Sequence, residues 1–525
     1  MIRRIARLTA VIAALLLPCV AHAQEKVLRW GNNGEISTMD PHGAFSTANA
    51  SLLFNIYEPL IRHNRDLKLE PALATSWQTL APDHWRFVIR KGVKFHDGTP
   101  LTGRDVVASL KRAAAPNSPY LSATAMIKDV LLVDEFTVDV MLRGPYPVLL
   151  NDLSGVGILC EKWMTENNTL EAADPAKGKT SYTTLKTNGT GPFMLVSRQP
   201  DVATIMARFP DWWDKASHNI DRVEYRPIPN DATRVAALQS GQIDLVTPTP
   251  VPAIESLKRD ASLRVVEAQD LRVAFIGYSV APDRVIEGTT GNPLSNVKVR
   301  EALSSAIDVD LITKQIMRGL TKPIHTLIAP EIQGYDASIA TPRTKFDPER
   351  ARRLLAEAGY PNGFQIGMDC PNDRFVNSDK VCEAIVSMWA KIGVKVGLSV
   401  MRYPIYMQKF INNKSDIFMM GWANTPQLDA FTLLNNVLHT RVGRSGTWNA
   451  GLYSNPAFDA LADKVGVEMD MAQRQKLITQ AFEVERKDFA TMPLYREPMV
   501  LAMIKDLDIP ASPDGKVRVW WARMK

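Results

Sequence analysis

Several short stretches of this 525-residue chain carry residue types that do chemistry, yet each lacks a member that its reaction requires. The eight histidines are scattered and no H-E-x-x-H occurs, so no spacing brings imidazoles onto one metal ion. Gly443-Arg444-Ser445-Gly446 approaches a nucleophile elbow and fails at its last position. Lys177-Gly178-Lys179-Thr180 imitates the end of a phosphate loop, but Ala173 stands at the first glycine position. Gly155-Val156-Gly157 has Cys160 where a third glycine belongs. Asp308 and Asp310 form an acid pair, but the chain has 56 acids, and both are placed to serve helix termini. His96-Asp97-Gly98 reads as a turn ahead of the helix DVVASLKR, with Asp105 as its cap. No enzyme, cofactor or metal is expected, and a secreted hydrolase is the different-class alternative.

Other stretches suit non-covalent recognition. In MMGWANTPQLDAF (419–431) an apolar run ends at Gly421-Trp422, followed by uncharged Asn424-Thr425 and one acid, Asp429. A tryptophan there supplies a flat wall with a single N–H donor, or else packs in the core. Arg374, in DRFVN, is placed to hold a carboxylate bidentately or to make a surface salt bridge. Tyr403 and Tyr406, in MRYPIYMQ, either line a pocket or pack a lobe. Cys370 and Cys382 flank a short loop, and bridging it would remove about 3 kcal/mol of unfolded-state entropy. Two buried free thiols are the alternative, and Cys160 is left over either way.

The elements that must position these residues alternate between helix and strand. HWRFVIRKGVKF (84–95) alternates and then breaks at Gly92, as a hairpin does. DATRVAALQSGQIDLV (231–246) reads as a helix capped by Asp231, stopped at Gly241 and followed by a strand. FDPERARRLLAEAGY has Asp347 as cap, Pro348 at the first helical position and Gly359 as stop. The helix KVCEAIVSMWAKIG (380–393) runs into the alternating strand VKVGLSV. Such units predict α/β domains with open twisted sheets, whose ligands sit at strand ends. The stretches 160–190 and 281–296 read as domain junctions.

The bulk properties point outside the cytoplasm. Arg3, Arg4 and Arg7, the apolar run Leu8–Leu17 and Ala21-His22-Ala23 form a cleavable secretory signal over 1–23. Pro18 disfavours lipid attachment at Cys19, because a small residue should precede a modified cysteine. Three of the charges behind the formal +6 lie in that leader, and no Lys/Arg run is interleaved with aromatics, so nucleic acid is not an expected partner.

Ten segments in fixed order carry a resemblance: LRWGNNGEISTMDPH, YEPLIR, LEPALATSW, FVIRKGVKFHDGTPLTGRDVVASLKR, NGTGPFML, ALQSGQIDL, VREALSSAID, PERARRLLAEAGYP, MGWANTPQLDAF and LYSNPAFDAL. Together they resemble the extracytoplasmic solute-binding proteins of peptide-type ABC importers (solute-binding protein family 5). The resemblance implies an α/β, two-lobed periplasmic binding protein of type II with a hinge and an inserted domain. Its parts would be a first lobe from 24–60, 189–284 and 491–525, an insertion at 61–188 and a further lobe at 285–490. It implies a periplasmic, monomeric receptor that delivers a peptide or peptide-like ligand to an inner-membrane ABC permease. Opine-like conjugates or metal chelates are the runner-up ligands. Trp422 matches the family's ligand-lining Gly-Trp, and Phe45, Ser46 and Thr47 would face the cleft from a lip of the first lobe. Peptide-binding relatives commonly place an aspartate three residues after this tryptophan to hold the ligand's ammonium. Here Thr425 stands at that position, preceded by Asn424, and Asp429 substitutes only if the loop folds it inward.

Overall fold

A computed structural model describes residues 25–44, 47–286, 289 and 291–525, without the side chains of Thr47, Ala48 and Ser122. The leader with Cys19, together with Phe45, Ser46 and the side chain of Thr47, therefore lies outside the described residues.

The chain opens with β1 (Val27–Asn32), and a short ribbon, β2 (Ile61–His63) and β3 (Leu69–Pro71), leads into the insertion. The insertion holds a separate antiparallel sheet of β4 (Ala74–Ala81), β5 (His84–Ile89), β6 (Ile127–Asp134) and β7 (Thr137–Leu142). Its order is β4-β5-β7-β6, and Trp85, Phe87 and Val140 face a core shared with the helix Gly103–Ala113. The chain then returns through β8 (Phe193–Gln199), β9 (Ala203–Arg208), β10 (Arg222–Pro227) and β11 (Leu245–Thr247). A long strand, β12 (Leu263–Tyr278), leads to β13 (Gln365–Pro371), β14 (Lys395–Met401) and β15 (Ile417–Trp422). A second long strand, β16 (Thr491–Ile504), leads back, and β17 (Leu507–Asp508) pairs with β18 (Arg523–Met524) near the end.

Ten of these strands form one sheet in the order β14-β13-β15-β12-β16-β11-β1-β10-β9-β8. The antiparallel pair β12–β16 runs through both halves and joins them. Leu263–Gln269 pair with Ile504–Pro498 on the first-lobe side, and Val273–Gly277 pair with Arg496–Thr491 on the other. The register shifts between Gln269 and Val273, so the chain changes lobes there. The lobe boundaries expected at 284/285 and 490/491 lie just outside this pair, after the end of β12 and at the start of β16. A uniform β-run hides the change, because a crossing inside a strand has no turn to mark it. The burial pattern does show it: β12 is half-buried up to Asp270 and almost wholly buried from Leu271 onward. A strand covered on both faces reads as a continuous apolar run, here LRVAFIGY.

Local signals account for most helix ends. Asp347 Oδ1 accepts from the Arg350 N–H at 2.8 Å, Pro348 opens the helix Pro348–Glu357, and Gly359 takes φ +95° beyond it. Two caps differ by a short step. Asn230, not Asp231, accepts from the Thr233 N–H at 2.9 Å. Thr102, not Asp105, caps Gly103–Ala113, with Asp105 at the third helical position completing a capping box. In each case the better side-chain acceptor lies just outside the apolar repeat, where spacing alone does not single it out.

The segment Asp40-Pro41-His42 fastens the first lobe to the insertion. Asp40 Oδ1 accepts from Arg112 at 2.8 Å, and Thr183 donates to Oδ2 at 2.7 Å, all with buried side chains. Burial opposes the charge, but Arg112 overcomes it and holds the Asp40 carboxyl well below its ordinary range. Gly189 and Gly191 lie against Ile56, where an added Cβ would come within 2.1 and 2.7 Å of its carbonyl oxygen. The NGTGP turn is thus a packing joint, and only glycine fits it.

Candidate functional site

The C-terminal ends of β13 and β15, the β12 crossing and the C-terminal segment converge on a cavity of about 350 Å³. Each part of the molecule supplies a wall. Phe54 and Lys516 come from the first lobe, Tyr120 and Gly155 from the insertion, and Trp422 and Arg374 from the second lobe.

β15 is buried from Ile417 to Gly421, and Trp422, its last residue, is half-buried where pairing with Val273 ends. The indole meets Trp448 edge-on with ring centroids 5.7 Å apart. Trp422 Nε1 is buried and has no hydrogen-bond partner among the described residues. A buried donor left unpaired costs about 1–3 kcal/mol, which an acceptor on a ligand would remove. Gly421 has its own reason: a Cβ there would lie 2.8 Å from Phe375 Cε1 and 3.0 Å from Arg272 Cδ. The bare glycine lets both side chains lie against the strand.

Arg374 projects from the loop before the helix Ser378–Ala390 and is exposed. Its guanidinium lies 5.7 Å from the ring centroids of both Phe375 and Tyr403, with no carboxylate within 4.0 Å among the described residues. The surface salt bridge is therefore not made. Tyr403 lines the cavity from the start of the helix Tyr403–Ile411. Tyr406 does not: it is fully buried and its hydroxyl donates to the Met419 carbonyl at 2.7 Å. It belongs to the core, as the packing alternative had it.

The loop after Trp422 divides its residues. Thr425 lines the cavity. Asn424 is buried with φ +51°, and its Oδ1 accepts from the Thr432 hydroxyl at 3.0 Å, so it faces the loop's interior. Asp429 corrects the expectation of a substitute anchor. Its two oxygens accept from Arg474 at 2.8 and 2.7 Å, and both side chains are 1% exposed. A carboxylate committed to a buried guanidinium has nothing left for a ligand ammonium.

Arg272 and Lys516 also line the cavity, and sequence reasoning missed both. Arg272 sits inside a strand and Lys516 near the chain end, so neither belongs to a local motif that spacing reveals. Burial, and then the neighbouring Arg374, lower the Arg272 pKa; burial likewise lowers that of Lys516. Lys516 borders a second cavity of about 300 Å³, on whose wall Asp270 lies. Cys370 and Cys382 are joined as a disulfide, with Cα atoms 6.6 Å apart, and Cys160 is buried and free. Among the described residues no cluster of His, Cys, Asp and Glu could hold a metal ion, and no helix is long and apolar enough to cross a membrane.

Residues 68–444 match the family model described as bacterial extracellular solute-binding proteins, family 5 Middle. Heme-binding protein A of Haemophilus influenzae is 29% identical over 81% of this chain and 79% of its own. Glutathione-binding protein GsiB of Escherichia coli O1:K1 / APEC is 26% identical over 95% of this chain and 94% of its own. The structure of HbpA2 from Haemophilus parasuis superposes with a TM-score of 0.81 at 24% identity, over 95% of this chain and 100% of that one.

Proposed function

The chain belongs to the bacterial extracellular solute-binding proteins, family 5, and on that footing we propose that it is the periplasmic receptor of an ABC importer, capturing a peptide or peptide-like solute between its lobes and catalysing nothing. Proteins of this family deliver peptides or related solutes to ABC importers. The basic, apolar and small-residue parts of segment 1–23 support export through a cleaved leader. The working form is a monomer whose closed state docks on an inner-membrane permease. Closure excludes water and strengthens every hydrogen bond to the solute in the cleft. A solute shifts the open–closed equilibrium only by its preference for the closed state.

The observation that carries this reading is Trp422, a half-buried ring lining a cavity walled by both lobes and the insertion, whose buried N–H has no partner among the described residues. Trp422→Ala is expected to weaken solute binding more than tenfold while unfolding stays cooperative. Unchanged affinity would remove Trp422 from the site. Native mass spectrometry of freshly purified protein supplies the solute for that measurement, since a closed cleft retains it. Sustained turnover of an ester, peptide or glycoside panel, lost on changing one cleft residue, would replace the receptor with a hydrolase.

One observation favours a second reading of the ligand. Among the described residues no aspartate or glutamate lines the cavity, and Thr425 stands where an ammonium would need an acid. A threonine hydroxyl does not offset the desolvation of a buried ammonium. Solutes without a free amine, such as blocked peptides or opine-like conjugates, fit the cleft better than ordinary peptides.

A further inference from the structure

Three cations line the cleft from three distant parts of the chain: Arg272 on the crossing strand, Arg374 in the second lobe and Lys516 in the first. Their partners within the protein leave them under-neutralised. Arg374 lies against the Phe375 and Tyr403 rings and meets Asp270 and Glu497 only through longer-range attraction. The Arg272 guanidinium donates once, to the Gly421 carbonyl at 3.2 Å, and makes no salt bridge within 4.0 Å among the described residues. Lys516 lies 3.4 Å from Asp514, but Asp514 also takes two hydrogen bonds from Arg518, at 2.9 and 2.7 Å. One buried acid thus answers two cations, and the cluster keeps a net positive charge. The Lys516 ammonium rests over the Phe54 ring, 4.9 Å from its centroid.

Two other acids stand nearby. Asp270 Oδ1 accepts from the Arg272 backbone N–H at 2.8 Å, and Glu497 Oε2 accepts from the Val376 N–H at 3.0 Å. Burial raises the pKa of Asp270 and lifts Glu497 to about 7, and both act on Arg272 and Arg374 through space. With Arg518 and Asp514 included, four cations face three acids, so a positive excess remains. Uncompensated cations in a partly buried site are costly unless an anion joins them. Arg272 and Arg374 reach the cavity from the crossing strand and the second lobe, and Lys516 reaches it from the C-terminal segment.

We propose that the cleft selects a solute with two acidic groups and no free amine, one acid held by Arg272 and Arg374 and the other by Lys516. Arginine forks suit bidentate carboxylate, whereas the lysine acts as a point charge. The solute's body then lies against Trp422, Phe375 and Tyr403. A solute whose two acids engage the arginines and Lys516 at once ties the two lobes together, so charge recognition and closure become one event. This inference rests on the receptor reading.

Three matched probes test it by calorimetric titration of ligand-free protein: N-acetyl-Phe-Glu, N-acetyl-Phe-Gln and Phe-Glu. The first is expected to bind at least tenfold tighter than either of the others. Lys516→Met should lower its affinity to that of N-acetyl-Phe-Gln and change the latter less than threefold. Arg272→Gln provides a second variant, and the ranking on the unaltered protein stands whether or not either variant folds. Equal affinity for the three probes, or tighter binding of Phe-Glu, would overturn the inference and leave the receptor reading intact. A neutral or cationic solute retained in native mass spectra would do the same. Failure of every probe, with no solute retained, would remove the receptor reading and this inference with it.

Discussion

Asp429 and Trp422 share one loop, and their surroundings assign them opposite duties. Asp429 neutralises Arg474 through two hydrogen bonds in a place that excludes water almost completely. Breaking such a pair from one side strands a buried charge at a cost of about 3–5 kcal/mol. Asp429→Asn should therefore shift the urea midpoint sharply downward and leave the ranking of cationic against neutral solutes unchanged. A selective loss of cationic solutes with normal stability would return Asp429 to the site. Trp422 has the converse signature, because its N–H has no partner to lose among the described residues. Sequence alone could nominate both residues, since an acid near a ligand-lining tryptophan is chemically plausible. It could not separate them, because Arg474 lies outside the motif and only folding brings it alongside.

At the scale of elements, the disulfide ties the end of β13 to the helix Ser378–Ala390, which frames the Arg374 loop. Closing this short loop in the unfolded chain is worth about 3 kcal/mol. Thiol counting on mature protein under denaturing, non-reducing conditions should find one free thiol, that of Cys160. Three would rule the bridge out. A Cys370→Ser/Cys382→Ser variant should melt lower while the first lobe keeps its fold. Elements of this kind were legible because their signals are local: Asp347-Pro348 and Gly359 bracket a helix within one short stretch. The hinge was not. β12 and β16 are long apolar strands whose change of lobe rests on pairing partners more than 200 residues away, as the Val273–Arg496 register shows. Arg272 and Lys516 stayed hidden for the same reason, since each gains its meaning from the wall opposite.

At the scale of the molecule, the insertion and the second lobe meet across the cleft, and a buried acid stands at the seam. Asn151 Nδ2 donates to Gln333 Oε1 at 3.5 Å, and the Cβ position of Gly155 lies 3.3 Å from Pro426 Cγ. Between these contacts is Asp152, whose Oδ2 accepts from the Tyr146 hydroxyl at 2.7 Å. Burial lifts its pKa to about 7, with Tyr146 partly offsetting the rise and Asp429 adding to it. A carboxyl whose pKa is raised on folding stabilises the native state fully below its ordinary value, and that contribution is lost as pH rises through about 7. Asp152→Asn should thus melt near the unaltered protein at pH 4, progressively above it up to about pH 7, and by a constant margin beyond. The comparison cancels the buried histidines His42, His63 and His96, whose pKa values burial lowers and which are common to both proteins. Opening the cleft would hydrate Asp152 and restore its ordinary pKa, so ionisation favours the open state. Solute affinity should then fall by up to about tenfold between pH 6 and 8, and the Asn variant should lose that slope. A slope unchanged by the substitution would show that Asp152 stays buried in both states and that the seam lies outside the moving interface.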